Sequence, residues 1–139
     1  MSEPRPSGWR RAGRALAPAA LLFLFGLATS LYYGRRGYMP LDQSICFDGG
    51  WRILCGQVPF RDYHAPNGFT VHALQALVFA LGGVGWLSYC LHAAVVNGLF
   101  AVLVRWLLVR MGLAPAAAWI WGALSALVLY PPFGVPYMD

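Results

Sequence analysis

The chain has 139 residues, of which 59% are hydrophobic and only 11% charged, and its net charge of +5 comes from ten arginines with no lysine. Soluble domains carry about 25% charged residues, so an ordinary hydrophilic shell is excluded. No Asp, Glu, Lys or Arg occurs between Tyr63 and Val104, or between Met111 and Met138. Uncharged apolar stretches of ~18 residues or more are transmembrane candidates. The arginines cluster at the ends of the apolar runs, as membrane flanks do, which argues against a nucleic-acid partner. The composition indicates an all-α, polytopic membrane protein surrounded by membrane lipids.

Residues 1–14, with four arginines and two prolines, are expected to form a cytoplasmic tail. Residues 15–33 form an apolar run of ~28 Å as a helix, enough for a first span. Tyr32 and Tyr33 would anchor it at the far interface. Ala28-Thr29-Ser30 loosely matches a small-x-small cleavage site, but the run passes through without a polar break, so it reads as an uncleaved span. Four arginines before the run outweigh Arg35 and Arg36 after it, which puts the N-terminus inside.

Residues 34–68 then form an extracytoplasmic loop. Asp42 stands at the N-cap of an amphipathic helix over 43–55, and Gly56 stands at the C′ position that ends it. Phe47, Trp51 and Leu54 recur at helical spacing, and Asp48 and Arg52 form an i,i+4 pair. At ~20 Å this helix is too short and too polar to span; it is expected to lie on the membrane surface with Phe47 and Trp51 dipping inward. Pro59, Pro66 and Asn67-Gly68 mark a turn-rich connection.

Gly82-Gly83-Val84-Gly85 divides the following uncharged interval. Its first limb, 69–81, reaches ~20 Å and reads as a short interfacial or partly inserted helix; its second, 86–109, reaches ~36 Å and can span with tilt. After Arg105, Arg110 and the Met111-Gly112 break, residues 113–130 offer a third span of ~27 Å. Arg105 and Arg110 prefer the inside, which needs an odd number of crossings after the loop, most simply one. Residues 131–139 then begin a second external loop on the same face as Asp42. Were 69–81 to cross, the arginines would lie outside and Asp139 inside.

His72 and Gln75 on the short limb, and His92 and Asn97 within a span, are expected to hydrogen-bond between helices. Gly98 lacks a GxxxG partner. Cys46 and Cys55, on one helix, would lie ~13 Å apart, beyond the ~7 Å that a disulfide tolerates. Trp119, Trp121 and Tyr130 read as interface anchors. No metal-ligand spacing, phosphate loop or Ser/His/Asp arrangement stands out.

One longer pattern does. DQSICFDGGWRILCGQVPFRDYHAPNG, followed by an apolar limb ending in LGG, resembles the first external loop of C-type (GT-C fold) glycosyltransferases. These polytopic enzymes, among them protein mannosyltransferases and aminoarabinose transferases, use polyprenyl-phosphate sugars. Asp42, the Gly50-Trp51-Arg52-Ile53-Leu54 segment, Gly56 and the Pro59-Phe60-Arg61-Asp62-Tyr63 turn occupy the family's places, and YPPFGVPYMD resembles its second external loop. Where many relatives have Asp-Glu, this chain has Asp42-Gln43. The resemblance implies the N-terminal part of an enzyme of the bacterial inner membrane, inactive as this piece alone, with a polyprenyl-phosphate sugar as donor. It implies Asp42 as general base and Asp139 as an acceptor-orienting residue that could share a divalent cation, Mg or Mn. The turn residues Arg61, Asp62 and His64 would border the substrate. Asp62 beside Arg61 also reads as an ion pair of the turn itself, and His64 as a phosphate or metal contact. The alternative is a small non-catalytic polytopic protein, a scaffold or assembly partner.

Overall fold

The structure, a computed structural model, describes residues 8–36 and 43–129, with side chains from Leu16 in the first segment and from Ser44 in the second. The described residues form five α-helices and no β-strand; Pro59 and Tyr63 make one isolated bridge. Asp42 and Asp139 lie outside the described residues, as do 1–7, 37–41 and 130–138.

Helix α1 (Gly8–Gly34) begins well before the apolar run. Alanine and arginine are strong helix formers, so the helix extends outward through Arg10, Arg11, Ala12 and Arg14 where a tail was expected. Helices α2 (Gln43–Leu54), α3 (Phe69–Gly82) and α4 (Trp86–Arg110) follow. Gly112, with φ +91, ends α4 in the left-handed conformation that glycine supplies cheaply. Helix α5 (Pro115–Val128) starts with its proline in the first turn, where no backbone N–H is needed. These stops leave α5 with 14 residues, or ~21 Å, less than the third span expected over 113–130. Among the described residues two helical segments, Leu16–Gly34 and Trp86–Arg110, are long and apolar enough to cross a membrane.

Helices α1, α4 and α5 pack as a bundle with small residues at the contacts. A Cβ added to Gly26 would meet the Gly98 Cα at 2.9 Å, and one on Gly122 would meet Leu22 at 2.7 Å and the Ala101 carbonyl at 2.9 Å. Gly98, without a sequence-local partner, thus finds one across the bundle. Such sites let backbones approach closely, which is how helices gain packing where no hydrophobic driving force separates protein from lipid.

Asn97, fully buried, ties the three helices together. Its amide nitrogen lies 3.1 Å from the Gly26 carbonyl and 2.9 Å from both Ser30 Oγ and the Ala126 carbonyl. Two hydrogens are shared among those three acceptors. Further along, Trp119 Nε1 donates to the Pro18 carbonyl at 3.0 Å, so this tryptophan serves an internal contact. The ranks 18 with 119, 22 with 122 and 26–30 with 126 make α1 and α5 parallel to each other and antiparallel to α4. At the end where α1 finishes, Trp86 Nε1 donates to the Gly34 carbonyl at 2.8 Å. Arg105 and Arg110 belong to the opposite end.

Helices α2 and α3 form a second unit, packed along the half of α4 nearest that first end. Cys46, Val71, Phe79, Tyr89 and Cys90 form its core, with Leu31 and Phe47 packed against them. The Phe47 ring meets Phe79 edge-on at 4.9 Å and Tyr89 at 5.3 Å. Phe47 therefore points into the protein rather than into lipid, because α3 and α4 offer it an aromatic pocket. Trp51 remains 47% exposed. Helix α3 turns into α4 through Gly83 at φ +80, and is held there by Ser88 Oγ donating to the Gly82 carbonyl at 3.1 Å and by a buried Gln75–His92 contact of 2.9 Å.

Candidate functional site

The polar strip between α1 and α3 folds around a cleft of about 230 Å³ between α2 and the connection to α3. Asp48 and Gly49 of α2, Tyr63 and His64 of the connection and His72 of α3 line it.

Glycines set its floor. A Cβ on Gly49 would lie 2.5 Å from His72 Nδ1, and one on Gly50 would lie 2.6 Å from the Gln75 side chain. Only glycine lets α3 approach α2 this closely. Tyr63 bridges the two helices: its hydroxyl lies 3.2 Å from the Gly49 carbonyl and 3.2 Å from His72 Nδ1, and the two rings stack at 5.8 Å. A carbonyl only accepts and a hydroxyl donates once, so Tyr63 donates to Gly49 and accepts from Nδ1–H of His72. This assigns the His72 tautomer and leaves Nε2 an unprotonated acceptor. Nε2 is buried and has no hydrogen-bond partner among the described residues. Burial lowers the His72 pKa, opposed by the nearby Asp48 carboxylate, so His72 is neutral at pH 7. Burial likewise raises the Tyr63 pKa.

Asp48 accepts from Arg52 Nε at 2.6 Å across one helical turn. The Arg52 guanidinium also donates to Gln57 Oε1 at 3.2 Å and lies 5.4 Å over the Tyr63 ring. The rim of the cleft is thus one carboxylate, one guanidinium and the exposed His64 imidazole. Such groups can take hydrogen bonds from, and give them to, a hydroxylated ligand.

The turn 58–63 is held by its own hydrogen bonds. Asp62 Oδ2 accepts from the Val58 N–H at 2.7 Å, the Asp62 N–H donates to the Val58 carbonyl at 2.9 Å, and the Phe60 N–H donates to the Tyr63 carbonyl at 2.9 Å. Arg61 clasps both Asp62 oxygens at 2.8 and 2.9 Å. That contact and the Val58 bond depress the Asp62 pKa to about 2, while Asp62 raises that of Arg61. Phe60 sits at φ +68, a left-handed backbone costing an L residue about 1–2 kcal/mol.

Of the residues singled out by sequence, Arg61 and Asp62 pair with each other on the turn, and His64 joins the cleft. Asp48, Tyr63 and His72 complete it without having been singled out as site residues. The periodicity of α2 puts Asp48 on the face next to Gly49, which is a usable signal for Asp48. Tyr63 and His72 meet only through tertiary folding. Among the described residues no group of three or more His, Cys, Asp or Glu side chains is arranged to hold a metal ion. The three cysteines are unbridged, with Cys46 and Cys90 buried and Cys55 exposed. Comparison with protein-family models, curated proteins and solved structures finds no match to this chain.

Proposed function

We propose that the chain is the N-terminal part of an integral membrane glycosyltransferase of the C type. It moves a sugar from a polyprenyl-phosphate donor to an acceptor hydroxyl on the extracytoplasmic side of the bacterial inner membrane. Asp42 takes the hydroxyl proton as the oxygen attacks the anomeric carbon; the bond from that carbon to the phosphate oxygen breaks, and polyprenyl phosphate leaves. The task suits an ionised carboxylate just ahead of Gln43, where the positive end of the α2 dipole favours the charged form. Asp139 orients the acceptor or shares an Mg or Mn ion with Asp42, and Arg61, Asp62 and His64 border the bound substrate. Any ion held there would supply charge neutralisation at the leaving phosphate.

One observation carries the reading. Helices α1 and α5 run parallel, so the last described residues of both, Arg36 and Leu129, direct the chain toward the same side of the bundle. That supports two separated carboxylates converging on one aqueous face.

The test uses the complete reading frame in membranes. Asp42→Asn is expected to lower sugar transfer at least about a hundredfold with insertion and folding intact. Full activity in that variant removes Asp42 as the base. No transfer by the unaltered frame, across polyprenyl-phosphate sugars, overturns the enzyme reading in favour of a non-catalytic membrane partner.

A further inference from the structure

Phe60 combines two features that each carry a cost. Its backbone is left-handed at φ +68, and its ring is 65% exposed. Glycine or asparagine would take that backbone more cheaply, so the phenyl ring needs a contact that offsets it. Among the described residues none covers most of the ring. The turn that carries the ring is rigid, fixed by the Val58–Asp62 and Phe60–Tyr63 hydrogen bonds and fastened to α2 and α3 through Tyr63. Immediately upstream, Trp51, Leu54 and Val58 are 47%, 43% and 44% exposed. Arg61, beside the ring, is the most exposed charged group of the turn.

We propose that Phe60 is the tip of a lipid anchor. The 58–63 turn inserts its ring into the headgroup–acyl boundary of the outer leaflet, with Trp51, Leu54 and Val58 bordering it and Arg61 facing the phosphates. The occupant follows from position. The α2–α3 unit packs along the half of α4 that begins at Trp86, where α1 finishes and where Tyr32 and Tyr33 are exposed. Aromatic rings with a neighbouring arginine are the side chains that settle at that depth. The anchor holds the cleft, through Tyr63, at a constant height above the bilayer. This inference rests on the membrane-spanning reading alone, so its failure would leave sugar transfer standing.

The test incorporates the photoreactive benzoyl-phenylalanine at position 60, and at the exposed mid-α4 position 99 as a control, in the full chain. The protein is placed in nanodiscs of phosphatidylcholine and phosphatidylglycerol. Lipid adducts at both positions are expected. Adducts at 99 without any at 60 overturn the anchor, and adducts at neither overturn the membrane reading with it. Phe60→Asn, which keeps the left-handed turn without the ring, provides a second measure. Amide exchange over 57–63 should quicken at least about threefold in nanodiscs, and unchanged exchange would refute an anchoring role.

Discussion

At the scale of single residues, His72 shows how a buried titratable group couples the cleft to pH. The titratable groups around it are Tyr63 and His64 on the connection and Asp48 on α2; its ring is fully buried and its pKa is lowered, chiefly by burial. The unfolded chain, with an ordinary histidine pKa of ~6.5, takes up a proton before the folded one does. Stability is therefore complete above ~6.5 and declines as pH falls from there toward the folded value. Asp48 limits the loss by favouring the charged ring, but a charged His72 must also place a second N–H where Nε2 has no acceptor. Amide exchange of α2 and α3, corrected for intrinsic rates, should accelerate between about pH 7.5 and about pH 5.5. His72→Gln should flatten that dependence. An unchanged slope in the variant would assign the effect to another group. Asp62 differs: with its pKa near 2, the turn keeps its ion pair throughout this range and only strong acid removes it.

At the scale of elements, Gly49 decides whether α2 and α3 can form one unit. Gly49→Ala would gain about 1 kcal/mol of helix propensity. Against that, the new Cβ lies 2.5 Å from a ring pinned by Tyr63, and overpacking of this kind costs about 1–3 kcal/mol. The net expectation is destabilisation, read as a lowered thermal midpoint in detergent. Adding His72→Ala should make the Gly49→Ala change neutral or favourable, a coupling that a double-mutant cycle detects. The helices themselves were readable from sequence because each has a local cause: the apolar runs of α1 and α4, the Gly56 stop after α2, the Gly83 break after α3. One departure is tertiary. Phe47 has the helical spacing of a lipid-facing residue, and only the pocket made by Phe79 and Tyr89 turns it inward. Another is local: Leu113 and Ala114 prolong the apolar run, but Pro115 is the residue that starts the helix. Within the cleft, Asp48–Arg52 was legible as an i,i+4 pair, whereas the Tyr63–His72 contact depends on two glycines on a different helix.

At the scale of the whole molecule, the bundle fixes the parity of the chain. Asn97 links α1, α4 and α5 at one depth, and the Trp119–Pro18 contact keeps α5 parallel to α1. The α2–α3 unit packs along the half of α4 that begins at Trp86, the last turn of α5 reaches the depth of Asn97, and Arg105 and Arg110 occupy the second end. If the bundle crosses the membrane, positively charged flanks favour the cytoplasmic side for that second end. The three native thiols make the consequence measurable. Cys46 and Cys90 are buried, whereas Cys55 is exposed at the end of α2. A membrane-impermeant maleimide applied to intact cells should therefore label Cys55, and the signal should vanish in Cys55→Ser. In that background Leu107→Cys, beside the arginines, should react only after permeabilisation, while cysteines at positions 42 and 139 should react without it. Labelling of 107 from outside would invert the bundle. Labelling of 42 and 139 from opposite sides would separate the two carboxylates that the proposed sugar transfer needs on one face, and with them the argument drawn from the parallel course of α1 and α5.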